Sequence, residues 1–214
     1  MEVERKFRVT AENPFVNLEE GEYFVRKEEL LLLDQYFDNS SFELTVNDHW
    51  LRQRTVDSSR GVWEIKYRHA LPQDGVEERH CTQYMETSDI REIASCIRRV
   101  LAAADGASFE EILESLQCWC AIRTTRRTHE LKVHAYGSPI TVVLDSFDGK
   151  HVGEVEIILP ENSTPEEVHR AEGAVDAVFS RFALEDASGG KVENFIREQK
   201  PELFDKLKHL LTKN

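Results

Sequence analysis

Glu2-Val3-Glu4-Arg5-Lys6 alternates strictly, but not simply between apolar and polar. Side chains on a strand point to opposite faces in turn, so Glu2, Glu4 and Lys6 share one face while Val3 and Arg5 share the other. The pattern recurs along the chain. Trp50, Arg52 and Arg54 fall on one face of a second segment. Glu64, Lys66 and Arg68 fall on one face of a third, opposite Trp63, Ile65 and Tyr67. Glu154 and Glu156 share a face opposite Val155 and Ile157. An open antiparallel sheet with one wet side accounts for any one of these strands. It accounts less well for the set, because some strands carry pairs of acids and others pairs of bases. A sheet closed on itself would collect both signs on one concave surface, where cations could surround a polyanion and acids could hold a metal. Closure also removes exposed strand edges.

The full set of strand-like segments extends this reading, with 22–37 a long extended stretch around the apolar Leu30-Leu31-Leu32-Leu33. They span residues 2–9, 22–37, 50–56, 62–68 and 77–86, then 118–127, 128–136, 140–147 and 151–159. Between the two groups, residues 89–104 place Ile90, Ile93, Ile97, Val100 and Leu101 at helical spacing, with Ser88 as the expected N-cap. Ser108 and Glu111 have capping-box spacing and open a short helix over 108–116. Three helices follow the last strand, over 164–182, 191–199 and 201–211, the first with Pro165 behind Thr164. The expected fold class is α+β: a closed antiparallel β-barrel of about eight strands with helices packed outside. It should form one domain over residues 1–214, with C-terminal helices from about 163.

Composition narrows the function. The chain has 214 residues, 40% hydrophobic and 31% charged, with no apolar run long enough to span a bilayer. Charge begins at Glu2, unlike a secretory signal, so a cytoplasmic protein without a membrane partner is expected, most simply a monomer. Cys81, Cys96, Cys118 and Cys120 lack paired metal spacing and read as reduced thiols. A net charge of −13 argues against a nucleic-acid partner. Anion binding remains open if cations converge. Arginine forks match phosphate oxygens in pairs, lysine adds point charge, and carboxylates take a hard cation such as Mg²⁺.

Glu2-Val3-Glu4-Arg5-Lys6-Phe7 matches the ExExK signature of the CYTH superfamily, the triphosphate tunnel metalloenzymes. Three further segments resemble the animal thiamine triphosphatases in order and spacing: Asp48-His49-Trp50-Leu51-Arg52-Gln53-Arg54, Trp63-Glu64-Ile65-Lys66 and Val152-Gly153-Glu154-Val155-Glu156. The resemblance runs from Glu2 to about Lys191. It implies hydrolysis of a triphosphate, thiamine triphosphate above all, to diphosphate and phosphate with Mg²⁺ as cofactor. It also implies residue roles. Lys6, Arg52, Arg54, Lys66, Arg126 and Lys191 would bind phosphates, and Trp50 would stack on the thiamine rings. Lys66, Arg54, Arg126 and Glu86 would serve catalysis, and Glu2, Glu4, Asp145, Glu154 and Glu156 would hold the metal. Related strands often carry a second base two positions before Arg126; here that position is Thr124. Arg123 and Arg127 compete with Arg126 for the tunnel position, Trp50 could equally be a core residue, and Tyr84 reads either as an acid–base group or as a core phenol. Rival functions are an inorganic tripolyphosphatase, an adenylate cyclase and a noncatalytic polyphosphate binder.

Overall fold

The computed structural model describes residues 1–10, 24–68, 81–102, 106–135 and 138–211. The strands are β1 (Glu2–Arg8), β2 (Phe24–Asp38), β3 (His49–Val56), β4 (Val62–Arg68), β5 (Thr82–Thr87), β6 (Gln117–Ala135), β7 (Ser138–Phe147) and β8 (Lys150–Ile158). They close into a barrel in the order β1-β5-β4-β3-β2-β6-β7-β8, and β8 pairs back onto β1. Every neighbouring pair is antiparallel. The expected eight-strand barrel is therefore the architecture found.

The helices are α1 (Glu43–Val46), α2 (Ile90–Val100), α3 (Phe109–Glu114), α4 (Pro165–Phe182), α5 (Lys191–Gln199) and α6 (Pro201–Leu211). Helix α1 is unexpected, α2 ends at Val100 short of the expected 104, and three further local details differ. The cap of α2 is Asp89, not Ser88, because the Asp89 carboxylate accepts from the backbone N–H groups of Arg91 and Glu92. The two strands expected over 118–127 and 128–136 are one strand, β6. Alternation runs unbroken through Arg127 and Thr128, and β2 pairs along its whole length. Finally, the stretch expected over 77–86 begins, among the described residues, as β5 at Thr82; residues 77–80 lie outside them, as do 22–23 and 103–105.

The hydrophobic core lies mainly outside the barrel. On one flank, α4 lays Val168, Ala171, Val175, Val178 and Phe179 against Val3, Phe7, Val155 and Ile157. Burying each such side chain contributes about 1.5–3 kcal/mol. Gly153 is needed here, since a Cβ would sit 2.1 Å from the Phe7 ring. On another flank, α1, α2 and α3 cover Leu51 and Ile65. The remaining helices do something different. Tyr36, Ile122 and Val152 lie on the barrel's inner face, opposite Arg52, Asp34 and Asp145 in register. Val192 and Phe195 of α5 pack against this inner-face cluster, and α6 packs behind α5 through Leu203 and Leu207. Thus α1 to α4 lie outside as expected, whereas α5 closes one end of the lumen.

Candidate active site

Strand register decides which side chains meet. Glu4 pairs with Glu156 and Lys6 with Glu154 across β1 and β8. Lys66 pairs with Glu86, Glu64 with Arg52, Arg54 with Asp34, and Arg126 with Asp145. All of these side chains therefore point into the barrel. Residue spacing predicted Lys6, Arg52, Arg54 and Lys66, and the family resemblance implied Arg126 and Lys191; the structure supplies their partners. Arg54 Nε and Nη2 donate to Asp34 at 2.6 and 2.8 Å, and Arg126 makes the same two-pronged contact with Asp145 at 2.7 and 2.6 Å. Lys191, from the first turn of α5, bridges these two acids at 3.0 and 3.1 Å. Arg52 is held by Glu64 at 2.8 Å and by Glu86. Lys66 donates to Glu4 at 2.6 Å and also pairs with Glu2; Lys6 pairs with Glu4 and, at 3.6 Å, with Glu154.

The register also settles the choice among three arginines. Arg126 faces inward opposite Asp145, whereas Arg123 and Arg127 alternate to the outer face. Thr124 faces inward, and its buried hydroxyl has no hydrogen-bond partner among the described residues. Tyr84 is a satisfied phenol: its hydroxyl donates to Asp48 at 3.3 Å, and burial with the nearby Asp48 charge pushes its pKa up. Trp50 lies on the inner face and is partly exposed; it packs against the cluster that α5 covers, and its Nε1 donates to Asp48 at 2.8 Å. Sequence reasoning placed Glu64 and Arg68 on the charged face but gave them no role, and it missed Asp34 and Asp48 as site residues. Asp34 directly follows Leu30-Leu31-Leu32-Leu33, and only its register opposite Arg54 reveals its role.

The acids fall into two electrostatic groups. Burial would raise Glu4, but Lys6 and Lys66 outweigh it and hold that carboxyl well below the usual range. Asp34 is likewise held low by Arg54 and Lys191 against burial. Asp145 is lowered to about 2, its burial outweighed by Arg126 and Lys191, and Glu86 to about 2, its burial outweighed by Arg52 and Lys66. These acids stay ionised. Glu156 behaves oppositely: burial, then the charges of Glu2 and Glu154, push it well above the carboxylate range. Burial raises Glu2 as well, more than Lys66 offsets. The two carboxyls crowd each other, which favours holding a proton at one of them.

A divalent cation could replace that proton. No three Asp, Glu, His or Cys side chains among the described residues are already gathered around one point. The oxygen donors that crowd each other are Glu2, Glu154 and Glu156, and they suit a hard cation. Glu4 and Asp145 are occupied with lysine and arginine. The five expected ligands therefore differ in their partners: among the described residues, Glu4 and Asp145 each hold two cations, and Glu2 and Glu154 one each.

A closed barrel lined with paired acids and bases is the triphosphate tunnel architecture. The CYTH domain model matches residues 1–182, and the protein belongs to that family. Among solved structures it is similar to a candidate adenylate cyclase from Vibrio parahaemolyticus, with a TM-score of 0.58 and 18% identity, covering 90% of this chain and 95% of that one. It is also similar to HpAC1 from Hippeastrum, a candidate adenylyl cyclase described with a dominant triphosphatase activity; the TM-score is 0.58 and the identity 17%, over 92% and 96% of the two chains. A Pyrococcus horikoshii protein matches with a TM-score of 0.57 and 15% identity, over 93% of this chain and 100% of that one. At these identities the likeness establishes the fold. No helix among the described residues is long and apolar enough to cross a membrane.

Proposed function

We propose that the protein hydrolyses an organic triphosphate to the diphosphate and phosphate inside the barrel, with Mg²⁺, and that thiamine triphosphate is the favoured substrate. One observation carries this reading: Lys6, Arg52, Arg54, Lys66, Arg126 and Lys191 converge on one lumen from β1, β3, β4, β6 and α5. Each is neutralised there by a carboxylate, so the walls present ready-made anion sites. A phosphate offers the same two-oxygen edge that Asp34 and Asp145 present, so Arg54 and Arg126 can exchange one for the other and keep their bonding pattern. Lys6, Lys66 and Lys191 add point charge along the chain of phosphates. Glu86, held ionised, orients Arg52 and does not donate a proton. Water attacks the terminal phosphorus, the bridging P–O bond breaks, and the cations offset the charge on the leaving diphosphate. Held by Glu2, Glu154 and Glu156, a divalent cation would neutralise phosphate charge and assist attack by water. A pure polyphosphate sink has no use for that crowded acid group.

The thiamine assignment rests on Trp50, which shares the inner face with Arg52 and keeps part of its ring exposed. A flat thiazolium cation over an indole gains roughly 1–2 kcal/mol when desolvated. The test is phosphate release from thiamine triphosphate, tripolyphosphate and ATP, each with and without Mg²⁺. Thiamine triphosphate should give the highest kcat/KM. Trp50→Ala should reduce its advantage over tripolyphosphate by about 10-fold. If tripolyphosphate is already the better substrate, the inorganic reading replaces this one. If ATP is, the organic group is a nucleoside. Release from none of them would leave a binding module.

A further inference from the structure

Asp48 pairs with Arg68 at the edge of the charged lining, is only 4% exposed and accepts three hydrogen bonds from separate parts of the barrel. It lies just before β3 with φ +58°, a conformation that aspartate tolerates better than most residues. Its Oδ1 accepts from Trp50 Nε1 at 2.8 Å and from the Tyr84 hydroxyl at 3.3 Å, and its Oδ2 accepts from Arg68 Nε at 2.6 Å. Arg68 and Tyr84 are cross-strand partners on β4 and β5. Lys66 Nζ stands 4.8 Å from the Tyr84 ring centroid. A short path of contacts therefore joins the indole to a phosphate-binding lysine through Asp48 and Tyr84.

This arrangement has two physical consequences. The indole cannot turn without breaking a partly buried hydrogen bond to a charged acceptor, so its plane is fixed before substrate arrives. A carboxylate accepting from the indole N–H at the ring edge also makes the ring more electron-rich, and the face of an electron-rich ring attracts cations. We propose that Asp48 is a specificity-determining positioning residue: it fixes the Trp50 indole and biases the site toward triphosphates whose organic group is flat and positively charged. The inference rests on the stacking role assigned to Trp50 above.

Two measurements test it. The first needs no substrate. In a ¹⁵N-correlated spectrum, the Trp50 indole signal is assigned by its loss in Trp50→Phe. Asp48→Asn should shift that signal and speed its hydrogen exchange, while the Trp63 and Trp119 signals stay put. An unmoved Trp50 signal overturns the positioning. The second compares substrates. Asp48→Asn should raise KM for thiamine triphosphate by about 10-fold, with kcat within about twofold, and lower its kcat/KM advantage over tripolyphosphate by a similar factor. In a Trp50→Phe background, which has no N–H to hold, the same change should cost less than about twofold. Equal losses on both substrates, or full additivity of the two changes, would show that Asp48 acts only structurally. If Asp48→Asn does not fold, Asp48→Glu, which keeps the charge and displaces the acceptor, carries both measurements in its place. Should the unmodified protein prefer tripolyphosphate, the substrate reading falls, and the indole signal still decides whether Asp48 positions Trp50.

Discussion

Arg54 and Lys66 illustrate how the site is organised residue by residue. Each is a largely buried cation with more than one acid in reach; Asp34, Glu64 and Glu4 each have a second cation, whereas Glu2 pairs with Lys66 alone among the described residues. Removing Arg54 leaves Asp34 with Lys191, and removing Lys66 leaves Glu4 with Lys6. Arg54→Ala and Lys66→Ala should therefore fold. Each should nevertheless lower kcat/KM by ~10²-fold or more, because each removes a charge-assisted phosphate contact worth about 2–4 kcal/mol. Steady-state kinetics beside thermal melts checks this; near-normal activity in both variants would contradict the tunnel site. Period-two spacing made Lys6, Arg52, Arg54, Lys66, Glu154 and Glu156 legible in the sequence, because a strand fixes which residues share a face. It could not reveal Asp34 or Asp48. Asp34 follows an apolar run and matters only through the strand it lands beside, and Asp48 acts from the turn before β3.

At the scale of elements, the strands were readable because alternation is a local signal, whereas their joins were not. Nothing in the sequence marks α1, which forms because the Asp38 carboxylate captures the backbone N–H groups of Leu44 and Thr45 and the Thr45 hydroxyl. The inward placement of α5 was equally hidden, since its apolar residues would serve as well on the outside of a barrel. Contact between elements makes one position stringent. Gly153 on β8 faces the Phe7 ring on β1, and no side chain fits between them. Gly153→Ala should destabilise the protein by about 1–3 kcal/mol, lowering Tm by several degrees. Phe7→Leu in the same chain should recover part of the loss. A Gly153→Ala protein that melts with the unmodified one would contradict this packing of β8 on β1.

Over the whole molecule, a net charge of −13 coexists with a lumen rich in lysine and arginine, so the substrate's sign is set by local convergence and not by the total. The same lumen sets a pH dependence. Asp145 and Glu86 titrate near 2 in the folded chain against ordinary values of 3.8 and 4.5, and Asp34 and Glu4 are held low as well. Carboxyls with lowered values stabilise the fold above their ordinary range and lose that contribution as pH falls through the folded values. Tm should therefore drop as pH falls from about 4.5 to about 2. Glu156 has the opposite sign: the stability it gives when protonated is lost as pH rises through its raised value. Mg²⁺ bound in place of that proton should raise Tm more near pH 8 than near pH 5. Melts across pH, with and without Mg²⁺, check both limbs. The central claim, metal-assisted hydrolysis in a charged tunnel, is tested most directly by phosphate release from thiamine triphosphate with excess chelator and then with Mg²⁺ restored. Chelator should abolish turnover, Mg²⁺ should restore it, and Glu156→Gln should require more Mg²⁺ for half-maximal rate. Undiminished turnover in chelator would contradict the account.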